Sequence, residues 1–337
     1  MDKNTEGTLT IVLLVLIQGV LASGAVEVQP SINPAVVGTS VTLSLSPPTA
    51  LKSGSWAVGE SLILTWLGDQ QAAFPGYSGR ASVNVLTGAL TLSSVTVADS
   101  GVYMVQSSDT QLKANASITV LEPISNVTLR ANQTELVEFY SSAVAACSVS
   151  SGSSLYFLWM NGSSEATASN RVQLTDRNST LIIVNVTRYD QGPFRCLVSN
   201  PVSNGTSNPV NFTISYGPDT MALTVNKQNT TSFLIGSNLT MLCSVQSNPP
   251  AQLRWAFRGE HVNTTGPLLD LFNVSENQSG AYSCLAFNNR TKMNSNITVH
   301  IIIAKPSLSG SEQQVVNLWL LPLLLVVESL FSLAGKL

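Results

Sequence analysis

Gln278-Ser279-Gly280-Ala281-Tyr282-Ser283-Cys284 is the stretch that decides the fold, because it recurs. Asp190-Gln191-Gly192-Pro193-Phe194-Arg195-Cys196 has the same shape. Asp99-Ser100-Gly101-Val102-Tyr103-Met104-Val105 repeats it with an aliphatic residue in place of the cysteine. Each copy carries an acid or amide, then Gly, then an aromatic, then Cys or Val, two residues apart. A spacing of two puts those residues on one face of a β-strand. Three copies imply three copies of one domain, and a chain of 337 residues holds about three small β domains.

Upstream of each copy lies a tryptophan. Cys147 is followed twelve residues on by Trp159, and Cys243 twelve residues on by Trp255. In the first unit Ser40-Val41-Thr42-Leu43-Ser44-Leu45 alternates as a strand, and Trp56 follows Leu45 by eleven residues. This Cys…Trp…aromatic-x-Cys spacing is that of an immunoglobulin domain, in which one cysteine from each sheet is bridged across the core beneath the tryptophan. It pairs Cys147 with Cys196 and Cys243 with Cys284. In a secreted chain each bridge contributes about 4 kcal/mol by closing its loop. The first unit has Leu45 and Val105 where the cysteines would stand, so its core holds by apolar packing. A metal site is excluded by ligand spacing, and no cofactor is implied.

The expected fold class is all-β, with three tandem immunoglobulin-like sandwiches. Residues 25–121 form a V-type domain without a disulfide. Residues 122–216 form an I/C2-type domain and residues 217–303 a C2-type domain, each with one bridge. The interval from Trp to the strand-F aromatic is 47, 35 and 27 residues in turn, which gives only the first room for strands C′ and C″. Arg80 and Asp99, like Arg171 and Asp190, lie 19 apart and are expected to staple strand D to the E–F corner. The third unit has Gln278 there, and no such pair is expected. Leu121-Glu122-Pro123 and Tyr216-Gly217-Pro218 are expected to break the ladder between domains, giving an extended rod.

Charge is sparse, with 10% of residues charged and a net charge of -3, and no basic cluster suited to nucleic acid occurs. His261 and His300 are the two histidines. No nucleophile–base pair or phosphate loop stands at a useful spacing, so no enzyme is expected. Both ends are apolar. Residues 1–24 hold a short apolar run followed by small residues, the pattern of a signal peptide. Residues 304–337 combine small residues, a polar spacer and an apolar tail, the pattern of a GPI-attachment signal. A single spanning helix is the rival, although it would place Glu328 in the bilayer at up to ~3 kcal/mol. Either anchor puts the protein on the outer face of the plasma membrane.

Asn-x-Ser/Thr acceptors stand at Asn115, Asn126, Asn132, Asn161, Asn178, Asn185, Asn204, Asn211, Asn229, Asn238, Asn263, Asn273, Asn277, Asn289 and Asn296. That is 15 of 26 asparagines, where Ser and Thr frequency alone would give about six. None lies within residues 25–114. A bare N-terminal domain on two coated domains reads as a recognition domain on a glycosylated spacer.

Several stretches resemble carcinoembryonic-antigen-related cell adhesion molecules (CEACAMs). Leu271 through Asn289 is similar to that family's E–F segment. Ser55-Trp56-Ala57-Val58-Gly59-Glu60, Gly68-Asp69-Gln70-Gln71-Ala72 and Gly76-Tyr77-Ser78-Gly79-Arg80 resemble its N-terminal domain, as does Asp99 through Gln106. The resemblance implies cell–cell adhesion through the GFCC′C″ face of that domain, with the same molecule or with related ectodomains. Gln106 keeps the family's residue on this face. Ala57, Lys52, Leu62 and Ser108 depart from it, and about five residues are missing between Glu60 and Ser61. The resemblance places Gln106 and Ser108 on the face, alternation sketches Leu62, Leu64 and Trp66 together on one side of C′, and Gln71 and Phe74 follow on the C′–C″ turn. Whether Leu62, Leu64 and Trp66 form an exposed stripe or face the core stays open at this point. Two other functions keep the same fold: an immune-cell ligand of the CD2/CD48 type, and a coat glycoprotein without a partner.

Overall fold

The computed structural model describes residues 25–228 and 230–306. The signal-peptide and anchor segments, like Asn229, lie outside the described residues. The described chain is all-β, and among these residues no helix is long and apolar enough to cross a membrane. It divides into two compact units, one of described residues within 25–134 and 141–212 and one of those within 135–140 and 213–306.

The N-terminal sandwich opens with β1 (Glu27–Pro30), β2 (Ala35–Val36), β3 (Val41–Ser46), β4 (Ser53–Val58), β5 (Ser61–Leu67) and β6 (Gln70–Ala73). It continues with β7 (Ala81–Asn84), β8 (Ala89–Leu92), β9 (Gly101–Ser107), β10 (Leu112–Ile118) and β11 (Val120–Leu121). One sheet has the order β1-β3-β8-β7 and the other β10-β9-β4-β5-β6, with β11 pairing parallel to β2. Alternation builds the core between them. Val41, Leu43 and Leu45 point inward from β3, and Tyr103 and Val105 from β9, around a fully buried Trp56. Leu45 and Val105 fill with aliphatic packing the space that a bridge fills elsewhere. Trp56 Nε1 donates to the Gly88 carbonyl at 2.9 Å, so its one polar atom is satisfied in the core.

In the middle of the chain follow β12 (Thr128–Ala131), β13 (Glu135–Val137), β14 (Ala143–Ser148), β15 (Tyr156–Asn161) and β16 (Ser164–Glu165). Next come β17 (Val172–Thr175), β18 (Thr180–Ile183), β19 (Phe194–Asn200) and β20 (Ser203–Thr206). Their sheets are β12-β14-β18-β17 and β16-β15-β19-β20, bridged by Cys147–Cys196 with 6.2 Å between Cα atoms. The last part holds β21 (Thr213–Val225), β22 (Ser232–Leu234), β23 (Leu239–Asn248), β24 (Gln252–Phe257) and β25 (Glu260–Thr265). It ends with β26 (Leu268–Leu271), β27 (Gly280–Phe287) and β28 (Asn294–Ala304). Here the sheets are β13-β21-β23-β26 and β22-β28-β27-β24-β25, with Cys243–Cys284 at 6.4 Å between Cα atoms. Trp159 Nε1 donates to the Asn178 carbonyl and Trp255 Nε1 to that of Gly266, repeating the Trp56 arrangement.

One expectation is corrected. Tyr216-Gly217-Pro218 does not end the strand, because β21 runs through it from Thr213 to Val225, although the ladder changes partner there, from β13 up to Ser215 to β23 from Tyr216. Register shifts between Tyr216 and Asp219 and between Asp219 and Ala222 absorb the interruption. Pro218 lacks an N–H to donate, and a bulge is where a strand does without one. Gly217 has φ +73°, and a Cβ on it would come within 2.3 Å of the Gln246 carbonyl oxygen. Only glycine fits there.

The corner that precedes each copy of the opening motif is built alike. Asp99 accepts from both Arg80 Nη atoms at 2.9 and 2.6 Å and from the N–H and hydroxyl of Thr96 at 2.7 and 2.9 Å. Asp190 does the same with Arg171 and Thr187. Gln278 Oε1 accepts from the Ser275 N–H at 2.9 Å, so an amide closes the third corner. There Arg258 Nη2 donates to the carbonyls of Asn277 and Ser279 at 3.1 and 2.6 Å, supplying cationic support from the β24–β25 turn instead of strand D. The hydroxyls of Tyr103 and Tyr282 each reach back four residues, to the carbonyls of Asp99 and Gln278. Phe194, at the matching place, has no hydroxyl to do so.

Burial works to raise the Asp99 carboxyl, but the Arg80 and Thr96 hydrogen bonds outweigh it and hold the group below the ordinary carboxylate range. The same balance lowers Asp190. For Tyr103, burial pushes the phenol up, with the Asp99 charge adding to it.

Candidate recognition face of the N-terminal sandwich

The outer face of the β10-β9-β4-β5-β6 sheet is built from residues that alternate with the core. Tyr103, Val105 and Ser107 of β9 point inward, so Val102, Met104 and Gln106 point outward. Register then carries each outward residue across the sheet. Gln106 stands opposite Lys113 on one side and Ser55 on the other; Ser55 is opposite Thr65, and Thr65 opposite Ala72. This row is polar on four of the five strands and ends in Ala72 on β6. The next row is apolar: Met104 stands opposite Ala57, and Ala57 opposite Leu62.

The alternation sketched for β5 does not survive intact. Between Trp56 and Ala57 the β4–β5 register shifts, because Trp56 pairs with Leu64 while Ala57 pairs with Leu62. Ile63 is the extra residue of this bulge. On its C-terminal side Leu64 and Trp66 face the core, at 1% and 3% exposure, and Ile63 is buried with them. On its N-terminal side Leu62 turns outward and is 42% exposed. Leu64 and Trp66 therefore leave the face, because an inserted residue reverses the phase of a period-two pattern.

Trp66 is fixed twice over. Its Nε1 donates to the Leu51 carbonyl at 3.1 Å. Its ring lies over Gly54, where a Cβ would come within 2.5 Å of the indole. The absent side chain at Gly54 is what lets the ring fill that place.

Gln71 stands opposite Trp66 and has a structural partner. Its Oε1 accepts the Val83 N–H at 2.8 Å, tying β6 to β7 of the other sheet. Phe74 follows β6; its N–H donates to the Ile63 carbonyl, and its ring is 37% exposed. Gln106 and Ser108 are both exposed. They border an open groove of about 510 Å³ with Ser53, Gly54, Ser55 and Lys113. Asp109 closes the turn beyond it, accepting from the Ser107 hydroxyl and from the Lys52 N–H at 3.0 Å. The Ser107 hydrogen bond, with that from Lys52, holds the Asp109 carboxyl below its ordinary range.

Of the seven residues sketched for this face, Leu62, Phe74, Gln106 and Ser108 are exposed on or beside it. Sequence reasoning omitted Val102, which is 52% exposed, and Met104. Their signal was present, since both alternate with Tyr103 and Val105. Leu62, Ala57, Met104 and Val102, with Phe74 beyond, make an apolar area bordered by the polar row. Among the described residues no group of three or more His, Cys, Asp or Glu side chains is placed to hold a metal ion.

Fourteen of the fifteen glycosylation acceptors are described. None is buried, and only Asn161 and Asn178 are partly covered.

Two immunoglobulin-domain family models match the chain, over residues 133–209 and 222–288. Among curated proteins, cell adhesion molecule CEACAM16 of Rattus norvegicus is 27% identical over 297 residues, spanning 83% of this chain and 69% of that protein. Its Mus musculus counterpart is 26% identical over the same span. Among solved structures, that of murine CEACAM1b matches with 26% identity and a TM-score of 0.49, covering 56% of this chain and 98% of the other.

Proposed function

We propose, from the premise that the chain is a CEACAM-like protein of the immunoglobulin superfamily, that it is a cell-surface adhesion and recognition protein working through the outer face of its β10-β9-β4-β5-β6 sheet. The observation that carries this is the apolar area of Leu62, Ala57, Met104, Val102 and Phe74, with three large side chains between 37% and 52% exposed on one face of one sandwich. Large apolar side chains left together in water, rimmed by polar ones, mark a contact surface. The two later sandwiches act as a glycosylated spacer, and the C-terminal segment anchors the protein, by GPI in preference to a spanning helix. The partner is a protein ectodomain on a neighbouring cell, the same molecule or a related immunoglobulin-superfamily member.

The test uses beads coated with the ectodomain, which are expected to aggregate. Leu62→Asp and Phe74→Asp each place a charge in the patch and are expected to abolish aggregation while leaving thermal unfolding unchanged. Wild-type beads that stay dispersed refute the homophilic form. A screen of the ectodomain against other cell-surface ectodomains then tests the heterophilic one, with the same two variants as the check on the face.

A further inference from the structure

Within residues 25–121 the chain has one glycosylation acceptor, Asn115-Ala116-Ser117, and β10 carries it on the same face of the sheet as the apolar area. Asn115 stands directly opposite Met104, Met104 opposite Ala57, and Ala57 opposite Leu62. Residues opposed across a ladder point to the same side. Ala114 beside Asn115 is buried, and Asn115 itself is exposed. β10 is the edge strand of its sheet; among the described residues no strand pairs on its far side, where the Asn33 side chain donates to the Ser117 carbonyl at 2.9 Å. We propose that Asn115 carries an N-linked glycan that lies over the Met104 end of the apolar area and confines partner contact to the β5–β6 side. The part about contact rests on the adhesive reading above; the part about the glycan and its cover does not.

Attachment joins Asn115 Nδ2 to the anomeric carbon of a lipid-diphosphate-linked oligosaccharide. The anomeric C–O bond breaks, the lipid diphosphate leaves with the bonding pair, and Nδ2 gives up one proton. An exposed amide on an edge strand offers the access this needs. Adjacent strands are ~4.8 Å apart, so the first sugar is rooted ~5 Å from Met104, ~10 Å from Ala57 and ~15 Å from Leu62. A branched oligosaccharide rooted there covers β9 and β4 before it reaches β5. Lys113 and Ser117 flank the attachment point on the same face and are too short or too flexible to hold the glycan off the sheet. The domain left bare by sequence position is therefore covered on part of its contact face, and Leu62 and Phe74 are what remains open.

The experiment compares three full-length proteins made in cells that N-glycosylate: wild type, Ser117→Ala, which removes the acceptor but keeps Asn115, and Asn115→Gln. Peptide mapping after enzymatic deglycosylation in heavy-oxygen water reads occupancy. Hydroxyl-radical footprinting reads cover, with exposed Met293 as the internal reference. The expected result is an occupied Asn115 and a severalfold rise of Met104 oxidation in both variants, with Met293 unchanged. An unmodified Asn115, or equal Met104 oxidation in all three proteins, overturns the proposal. Variant beads are also expected to aggregate faster than wild-type beads; equal rates where wild-type beads do aggregate overturn the confinement of contact. If no beads aggregate, the homophilic reading falls, and Met104 oxidation alone decides the cover.

Discussion

Asp99→Asn is the sharpest test of how the N-terminal sandwich holds together without a disulfide. The Asp99 side chain is 4% exposed and that of Arg80 is 25% exposed. The carboxylate takes four hydrogen bonds, two of them from the guanidinium. An amide keeps one acceptor oxygen and turns its NH2 toward a donor. With the amide nitrogen in place of Oδ1 the Thr96 bonds stay on the remaining oxygen, but the Arg80 Nη2 bond is lost and the other Arg80 bond loses its charged acceptor; hydrogen bonds to charged groups contribute about 1.5–3 kcal/mol each. Arg80 recovers part of this from water, and its Nε keeps the Gly76 carbonyl at 2.9 Å. The net cost is about 2–3 kcal/mol, a large share of a domain stability of 5–15 kcal/mol. For a domain of this size that lowers its melting by about 10–20 °C.

The assay is calorimetry of the whole ectodomain, with hydrogen exchange on peptides spanning residues 89–107 to assign the transition. The pH dependence adds a second reading. Asp99 is lowered in the folded state, so its stabilisation is fully present above the unfolded carboxylate value near pH ~4 and is lost as pH falls through the folded one. Wild type should lose stability in this acid window, and Asp99→Asn should lose less. A variant within about 0.5 kcal/mol of wild type at neutral pH, the range of an ordinary surface change, refutes the view that this corner staples the sandwich.

Four other outcomes follow from the same geometry. Gly54→Ala drives a methyl into the Trp66 indole and is expected to cost about 1–3 kcal/mol by overpacking, read in the same melt. Trp66→Ala should cost about 3–5 kcal/mol as a core truncation; were Trp66 a surface anchor, stability would hold and only binding would fall. Reduction should destabilise the Cys147–Cys196 and Cys243–Cys284 sandwiches by about 4 kcal/mol each, for loops of 49 and 41 residues, and leave exchange in the N-terminal one unchanged. Gln71→Ala removes the acceptor for the Val83 N–H and should speed exchange at Val83 without unfolding the domain.

What was legible in the sequence is what period-two alternation and fixed spacing encode. Gly280, Tyr282 and Cys284 announce a strand with one buried face, and Trp255 twelve residues after Cys243 announces the strand across from it. The same logic places Tyr103 and Val105 inward in a domain without cysteines. Alternation fails where the chain inserts a residue, and nothing in Leu62-Ile63-Leu64 marks which one is extra. Three aliphatic residues in a row satisfy either phase, and only pairing with β4 chooses. Tyr216-Gly217-Pro218 misleads for the opposite reason. Its residues signal a break, yet a bulge lets a strand keep its partner β23 across them. The side on which Asn115 stands depends on the β9–β10 register, a relation between two segments that neither encodes alone.

The bulge at Ile63 also explains the small size of the apolar area. Had β5 kept phase from Leu62 through Trp66, Leu64 and Trp66 would lie on the outer face, and Ile63, Thr65 and Leu67 would take the inward side. Burying Trp66 fills the core and leaves Leu62 and, at the far end of the strand, Leu67 as the large aliphatic side chains on the outer side of β5. Core packing thus takes two of the three hydrophobic residues that an adhesive stripe would have used. The exposed remainder lies at the β5–β6 end together with Phe74, and at the β9 side as Met104 and Val102, beside Asn115. An apolar surface divided in this way gives different answers at its two ends. Charges at Leu62 or Phe74 should disrupt binding whether or not Asn115 is glycosylated. A charge at Met104 should matter only when the acceptor at Asn115 has been removed, and a Met104→Asp effect equal in wild type and in Ser117→Ala would show the whole face to be in use.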